Sequence, residues 1–327
     1  MTSAIAPPFF AYAIRLRRPV ATAAALWDVR RGAWLALPGE EGAVGLGEVA
    51  PLPPPGSEEQ LAAALERPAF REAAFGLANL DLEAQGAGRP IAALLGDEPR
   101  SSVEVNALCF ATTADEAARE AAQAVARGFR TLKLKVGAAE AARDIERVAA
   151  IRARVGDAVR LRLDANGAWD EARAVAVLRA VERFDIEYVE DPVEGHPAAL
   201  RRRIGIPVAL DAASAQAAWK AVRGGRADLL VLKPMQLGGL RASLDIALAA
   251  LEAGLGVVVS SSFDTAVGVA GALHLAAALP GPERAHGLAT VELLEDAPLE
   301  GLEAPREGRL HLPAGPGLGV RLKASAA

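Results

Sequence analysis

The sequence predicts an α/β protein: a modified TIM-type (β/α)7β barrel preceded by a smaller α+β domain. Three observations lead there. From about residue 100, β-rich runs alternate with Ala-, Glu- and Arg-rich stretches of helical period. The residues before that point have a different texture, a meander of short strands followed by helices. Charged side chains recur at the C-terminal ends of successive runs, where a parallel barrel gathers its reactive groups.

In the first domain, residues 1–99, "FAYAIRLRRPVATAAALWDVRRGAWLALPGEEGAVGLGEV" reads as antiparallel strands with turns expected at Gly32 and Gly39. Helices follow through "EEQLAAALERPAFREAAFGLANLDLEAQGAG". "GLGEVA" matches the dinucleotide-binding pattern Gly-x-Gly-x-x-Ala. However, "PLPPP" stands where a phosphate-binding helix would have to begin, so the match has no mechanism behind it.

In residues 100–294 the strand runs are "SVEVNALCF", "TLKLKVG", "VRLRLDANG", "IEYVEDP", "PVALDAA", "ADLLVLKPM", "GVVVSSSF" and "HGLATVELL". Between them, "TADEAAREAAQAVARG" opens on a threonine cap and closes at Gly128, and "WDEARAVAVLRAVERF" spaces its apolar residues as a helix does. "AVGVAGALHLAAALPG" contains His274 and is too short to span a bilayer, so it reads as a buried helix. Residues 295–327 are rich in Pro and Gly, with a strand-like "GRLHLP", and are expected to pack back on the first domain.

The composition narrows the function classes. The 327 residues can bury a large core, and the net charge of -5 comes without a basic block or a basic and aromatic stripe, so no nucleic-acid partner is expected. "RLRRP" and "LRRRIG" read as solvated faces. The single cysteine, Cys109, cannot form an internal disulfide, and no charged n-region followed by an apolar h-region opens the chain. A cytoplasmic protein with no membrane partner is the expectation.

Alternation along "TLKLKVG" puts Lys133 and Lys135 on one face of a buried strand, where two ammonium groups need something negative opposite. The following strand ends carry Asp164, Glu190, Asp211, Lys233 and the serines Ser260, Ser261 and Ser262, at intervals of 21 to 29 residues, about one βα unit each. Any one of these would pass as a helix cap, a turn residue or an ion-pair partner. Their recurrence on consecutive strands calls for a common cause. Three carboxylates with no cysteine and no paired histidines suit a hard cation, Mg²⁺ first and Mn²⁺ second. The lysines would then face that cluster and an anionic substrate.

The order Lys-x-Lys, Asp-x-Asn, Glu-Asp-Pro, Asp, Lys-Pro resembles the enolase superfamily in its muconate-lactonising subgroup, and within it the o-succinylbenzoate synthase family. "RLDANGAW" and "SSSFDTAVG" resemble its third and seventh strand ends, and "GEVAPLP" its capping loop. The resemblance implies that the first domain, completed by the tail, caps the barrel mouth, with Arg17–Ala25 and Gly47–Pro53 covering it. It implies Asp164, Glu190 and Asp211 as Mg²⁺ ligands, Lys135 as acid and base, Lys233 as the opposing lysine and Lys133 as a helper that lowers the proton affinity of Lys135. It also implies that Arg162, Asn166 and Ser260–Ser262 touch a small-molecule dicarboxylate substrate. His196, His274, His286 and His311 match no catalytic position. The sequence departs from many relatives at Ala212 and Ala213, where an acid would otherwise follow the third ligand. The implied activity is a dehydration in menaquinone biosynthesis. Alternatives are an N-succinylamino acid racemase, a dipeptide epimerase, which would use an Asp-x-Asp that "HGLATVELL" lacks, and an inactive ligand-binding barrel.

Overall fold

The structure, a computed structural model, describes residues 8–21, 26–195, 198–295 and 298–323. Strands β1 (Phe9–Ala21), β2 (Leu26–Pro38) and β3 (Val44–Val49) form an antiparallel sheet in that order. The turn expected at Gly39 is present: its amide donates to the Ala43 carbonyl at 2.8 Å. The turn expected at Gly32 is not. Gly32 lies inside β2 opposite Tyr12, and a Cβ there would fall 2.3 Å from the Tyr12 hydroxyl oxygen. Glycine is needed at that position because a cross-strand ring covers it. Of the expected covering segment, Arg17–Ala21 belongs to β1, and residues 22–25 lie outside the described residues.

Helices α1 (Glu58–Leu65), α2 (Pro68–Gly86) and α3 (Ala92–Leu95) follow. The Ser57 hydroxyl caps α1, and Pro68 opens α2 at a position whose N–H would have had no helical partner. The α2 backbone crosses β3 so closely that a Cβ on Gly45 or Gly47 would fall 2.2 or 2.1 Å from the Ala78 or Ala74 carbonyl oxygen. Phe9, Leu35, Leu61, Leu65 and Phe70 share this core with Met235 from the barrel.

The run "SVEVNALCF" divides into β4 (Ser102–Glu104) and β5 (Ala107–Cys109). From there the chain builds α4 (Ala114–Ala126), β6 (Thr131–Lys135), α5 (Ala141–Val155), β7 (Arg160–Asp164), α6 (Glu171–Val181) and β8 (Ile186–Glu190). It continues through α7 (Ala198–Arg201), β9 (Val208–Asp211), α8 (Ala215–Gly224), β10 (Leu229–Leu232), α9 (Pro234–Leu237), α10 (Leu240–Glu252), β11 (Gly256–Val259) and α11 (Ala266–Ala278). Strands β5 to β11 form one curled parallel sheet in sequential order. Thr113 caps α4, as expected. Helix α11 is buried from Ala266 to Ala277, which explains its unbroken apolarity, and no described helix is long and apolar enough to cross a membrane.

The last stave is shorter than "HGLATVELL" suggests. Among the described residues, only His286 and Gly287 close the barrel, bridging Val105 and Ser260, and Val291–Leu293 forms a 3-10 turn. Two contacts seat this short stave against β11. The His286 ring accepts the Val259 amide at its Nδ1, and a side chain at Gly287 would meet the Ser260 hydroxyl at 2.5 Å.

The tail forms β12 (Leu299–Glu300), β13 (Arg309–His311) and β14 (Arg321–Leu322). Strand β13 pairs with β4. Beyond it, the Leu318 amide donates to Asp81 of α2 at 2.7 Å and the Gly317 carbonyl accepts from Ile91 at 3.0 Å, so the tail touches both the barrel and the first domain.

Candidate active site

Tyr188, Ala209, Leu229, Val231 and Val258 form a separate apolar cluster inside the curled sheet. Strand alternation carries the same inward face up from Tyr188 to Glu190, from Ala209 to Asp211 and from Val231 to Lys233. Register does the rest: Lys135 pairs with Asp164, and Asp164 with Glu190. Across five adjacent strands, β6 to β10, the order is therefore Lys135, Asp164, Glu190, Asp211, Lys233, a row of three acids with a lysine at each end.

Lys133 lies behind this row. Its ammonium donates to Glu190 Oε2 at 2.7 Å and lies 2.7 Å from Asp164 Oδ2. Lys135 reaches the same Asp164 oxygen at 2.7 Å and donates to Asn166 Oδ1 at 2.8 Å, while Lys233 pairs with Asp211. Burial opposes charge on Lys133, but the Asp164 and Glu190 carboxylates outweigh it and hold the ammonium well above its ordinary pKa. Burial also opposes charge on Asp164, and there Lys133 and Lys135 win, holding it well below the usual carboxylate range. Glu190 goes the other way, to about 6, through burial and then the Asp164 charge.

In kind, the donor set fits a hard divalent cation: hard carboxylate oxygens only, on three consecutive strands. The expected convergence on one point is not what the structure shows. Each acid leans on its nearest ammonium, and among the described residues no group of three Asp, Glu, His or Cys side chains is arranged to hold a metal ion.

Asn166 is drawn into the site, its amide fixed by Asp164 Oδ1 at 3.1 Å and its φ at +47°. Arg162 is not. It pairs in register with Lys133, two residues deeper than Asp164, and is fully buried. Its guanidinium is taken up by Glu187 at 2.7 Å, Asn106 at 3.1 Å and the Ala285 carbonyl at 2.7 Å, and lies over the Tyr188 ring. The serine hydroxyls are engaged within the barrel rim: Ser260 with the Gly287 carbonyl at 3.3 Å, Ser261 with Thr290 at 2.5 Å and Ser262 with Gln236 at 3.5 Å.

His274 accepts the Ala92 amide at Nδ1 and meets the Leu318 carbonyl at Nε2, and His286 is equally buried, so both are structural. His196 lies outside the described residues. Burial, reinforced by Glu120, pushes the Cys109 thiol up to about 12, which leaves it no nucleophilic role.

Sequence reasoning missed Asp191. Its carboxylate accepts the Asp211 amide at 3.1 Å, and burial with the Asp211 charge raises its pKa to about 8. It thus braces the backbone of Asp211, and the next residue, Ala212, is buried. Glu48 and Asp264, both buried, were missed as well, because neither shows a periodic signal.

Residues 116–326 match the family model described as enolase C-terminal domain-like. The chain belongs to the enolase superfamily. Among relatives in that superfamily, muconate cycloisomerase 1 of Rhodococcus opacus is 31% identical over 264 residues, covering 79% of this chain and 71% of the relative. The o-succinylbenzoate synthase of Thermobifida fusca is 44% identical over 202 residues, covering 60% of this chain. That match spans 62% of the synthase's own length. Among solved structures, the dipeptide epimerase from Enterococcus faecalis V583 complexed with Mg and L-Leu-L-Tyr superposes with a TM-score of 0.86 at 29% identity, covering 95% of this chain and 98% of that one.

Proposed function

We propose that this enolase-superfamily chain is an o-succinylbenzoate synthase, a hydro-lyase that dehydrates 2-succinyl-6-hydroxy-2,4-cyclohexadiene-1-carboxylate to 2-succinylbenzoate. The observation that carries the reading is the row Lys135, Asp164, Glu190, Asp211, Lys233, with one lysine at each end. Asp164, Glu190 and Asp211 would hold Mg²⁺, or Mn²⁺ in its place. Bound there, the ion supplies Lewis-acid stabilisation to a carboxylate whose neighbouring carbon is losing a proton.

Lys135 takes that proton and returns it to the departing hydroxyl, so one group serves as base and then acid. Lys233, on the far side of the acids, holds fixed positive charge against the negative charge that develops. Lys133, kept protonated between Asp164 and Glu190, holds those two acids in place beside Lys135. Asn166 fixes where the Lys135 amine points.

Identity to the Thermobifida fusca synthase favours dehydration over the other reactions these parts can perform. The structural likeness to an epimerase, and a lysine on each side of the acids, make proton transfer at a stereocentre the second reading. Incubating the purified protein and Mg²⁺ with the cyclohexadiene carboxylate tests both. Appearance of the aromatic product's absorbance is expected, its abolition by chelator and its recovery with Mg²⁺ or Mn²⁺. Absence of product, together with α-proton exchange on an N-succinylamino acid or a dipeptide in deuterium oxide, would favour the second reading. Full activity in chelator would remove the metal role of the three acids.

A further inference from the structure

The first domain grips one short loop of the barrel through buried groups that no catalytic step uses. Glu48 on β3 is fully buried, and both its oxygens are saturated. Oε1 accepts from the Tyr12 hydroxyl and from the Thr265 amide at 2.9 Å, and Oε2 from the Thr265 hydroxyl at 2.8 Å and the Gly268 amide at 2.7 Å. Glu48 thereby caps the first turn of α11 from another domain.

Three neighbours act on the same stretch. Trp34 donates its indole N–H to Thr265 Oγ1 at 3.0 Å, Arg30 donates Nε to the Phe263 carbonyl at 2.9 Å, and the Trp27 ring packs edge-on against Phe263 at 4.9 Å. Phe263 has φ +59°, a left-handed conformation that a bulky aromatic residue holds only where its surroundings impose it. The stretch so held joins the end of β11 to α11 and carries Ser260–Ser262. Ser262 lies against Gln236, three residues past Lys233, and its amide is fixed by the buried Asp264 carboxylate. The loops after barrel strands are where this architecture places substrate contacts.

We propose that Glu48 and Trp34 are positioning residues that hold the loop Ser260–Thr265 at the barrel mouth in the conformation that receives substrate. This rests on the site proposed above. Specificity would then depend on the seating of the first domain as well as on the loop's own side chains. Glu48→Gln replaces one acceptor oxygen by an amide NH₂ that faces donors, so at least one of the interdomain bonds becomes a donor–donor clash. Trp34→Phe is the companion: it removes the indole N–H donated to Thr265 and part of the ring packed on Tyr12, and leaves the Glu48 acceptors in place.

The test is hydrogen–deuterium exchange on the full chain without ligand, followed by kinetics with Mg²⁺ and the cyclohexadiene carboxylate. For Glu48→Gln, exchange across residues 260–268 should rise about tenfold or more while residues 160–166 stay within about twofold of the parent. KM should rise about tenfold and kcat stay within about threefold. Trp34→Phe should shift both in the same direction by less, and it decides the matter if Glu48→Gln does not fold. Unchanged loop exchange, a uniform rise over the whole chain, or a fall in kcat at constant KM would overturn the proposal. The exchange measurement needs no turnover, so its failure is distinct from failure of the synthase assay.

Discussion

Lys133 and Lys135 meet at the same oxygen, Asp164 Oδ2, each at 2.7 Å, yet their surroundings assign them different work. Lys133 is wedged between two buried carboxylates, whereas Lys135 is more open and shares one carboxylate with its partner and an amide with Asn166. Removing Lys133 strands Glu190 without its nearest cation and leaves Asp164 half-paired, and breaking a buried ion pair from one side costs about 3–5 kcal/mol. Lys133→Ala should therefore lose stability of that order in urea unfolding without metal. Lys135→Ala should lose far less, because Asp164 keeps Lys133. Its deficit should instead be catalytic, about 10² to 10⁴ in rate or more where one group serves as both base and acid. A stable Lys133→Ala protein, or a Lys135→Ala protein that turns over at near the parent rate, would reverse this division of labour. The lysines and acids were legible because charge at a strand end in an apolar run is costly and needs a cause. Arg162 shows what the sequence leaves out: it gives the face a residue takes, but not how deep its layer lies or that Glu187 and Ala285 engage its guanidinium.

Among the elements, the parallel strands and their helices could be read because each has its own period, while the exceptions were set by neighbours distant in sequence. Gly32 looks like a turn and is a strand residue beneath Tyr12, and the eighth run looks like a full strand but pairs only through His286 and Gly287. The α2–β3 contact separates the two kinds of glycine experimentally. A Cβ on Gly47 would meet the Ala74 carbonyl oxygen at 2.1 Å, so backbone must move, and Gly47→Ala should destabilise by about 3 kcal/mol, the upper range for overpacking. Gly76 sits in the middle of α2 with nothing within 4 Å of the same position, so Gly76→Ala should stabilise by about 0.5–1 kcal/mol through helix propensity. Urea midpoints that move in the same direction for both variants would show that α2 is not seated on β3 as described.

At the scale of the whole molecule, three parts of the chain meet on one imidazole: His274 of α11 joins the Ala92 amide at the start of α3 to the Leu318 carbonyl in the tail. No sequence period marks that joint, since its members lie far apart in the chain and each looks ordinary alone. Burial lowers the His274 pKa to about 4 against the ordinary value near 6.5, because a charged ring there would lose water and the Ala92 donor would face a second donor. Between those values the unfolded chain binds a proton that the folded chain refuses, so stability contributed by the neutral ring is full above about pH 6.5 and lost as the pH falls toward 4. The loss amounts to roughly 3 kcal/mol for a shift of this size. His286, lowered to about 3 by burial and by Arg162, acts with the same sign. Asp264 and Asp191, raised to about 7 and about 8, act with the opposite sign, since the folded chain keeps protons there that the unfolded chain releases. The raw pH profile therefore mixes opposing slopes, and the His274 share must be isolated by difference. Urea unfolding of the parent and of His274→Gln from pH 8 to pH 4 does so: the parent's stability relative to the variant should be constant above about pH 7 and fall by roughly 3 kcal/mol by pH 4. A difference that stays flat over that range would mean that His274 takes up its proton in the folded chain as readily as in the unfolded one, and that the meeting of barrel, first domain and tail does not depend on a neutral ring.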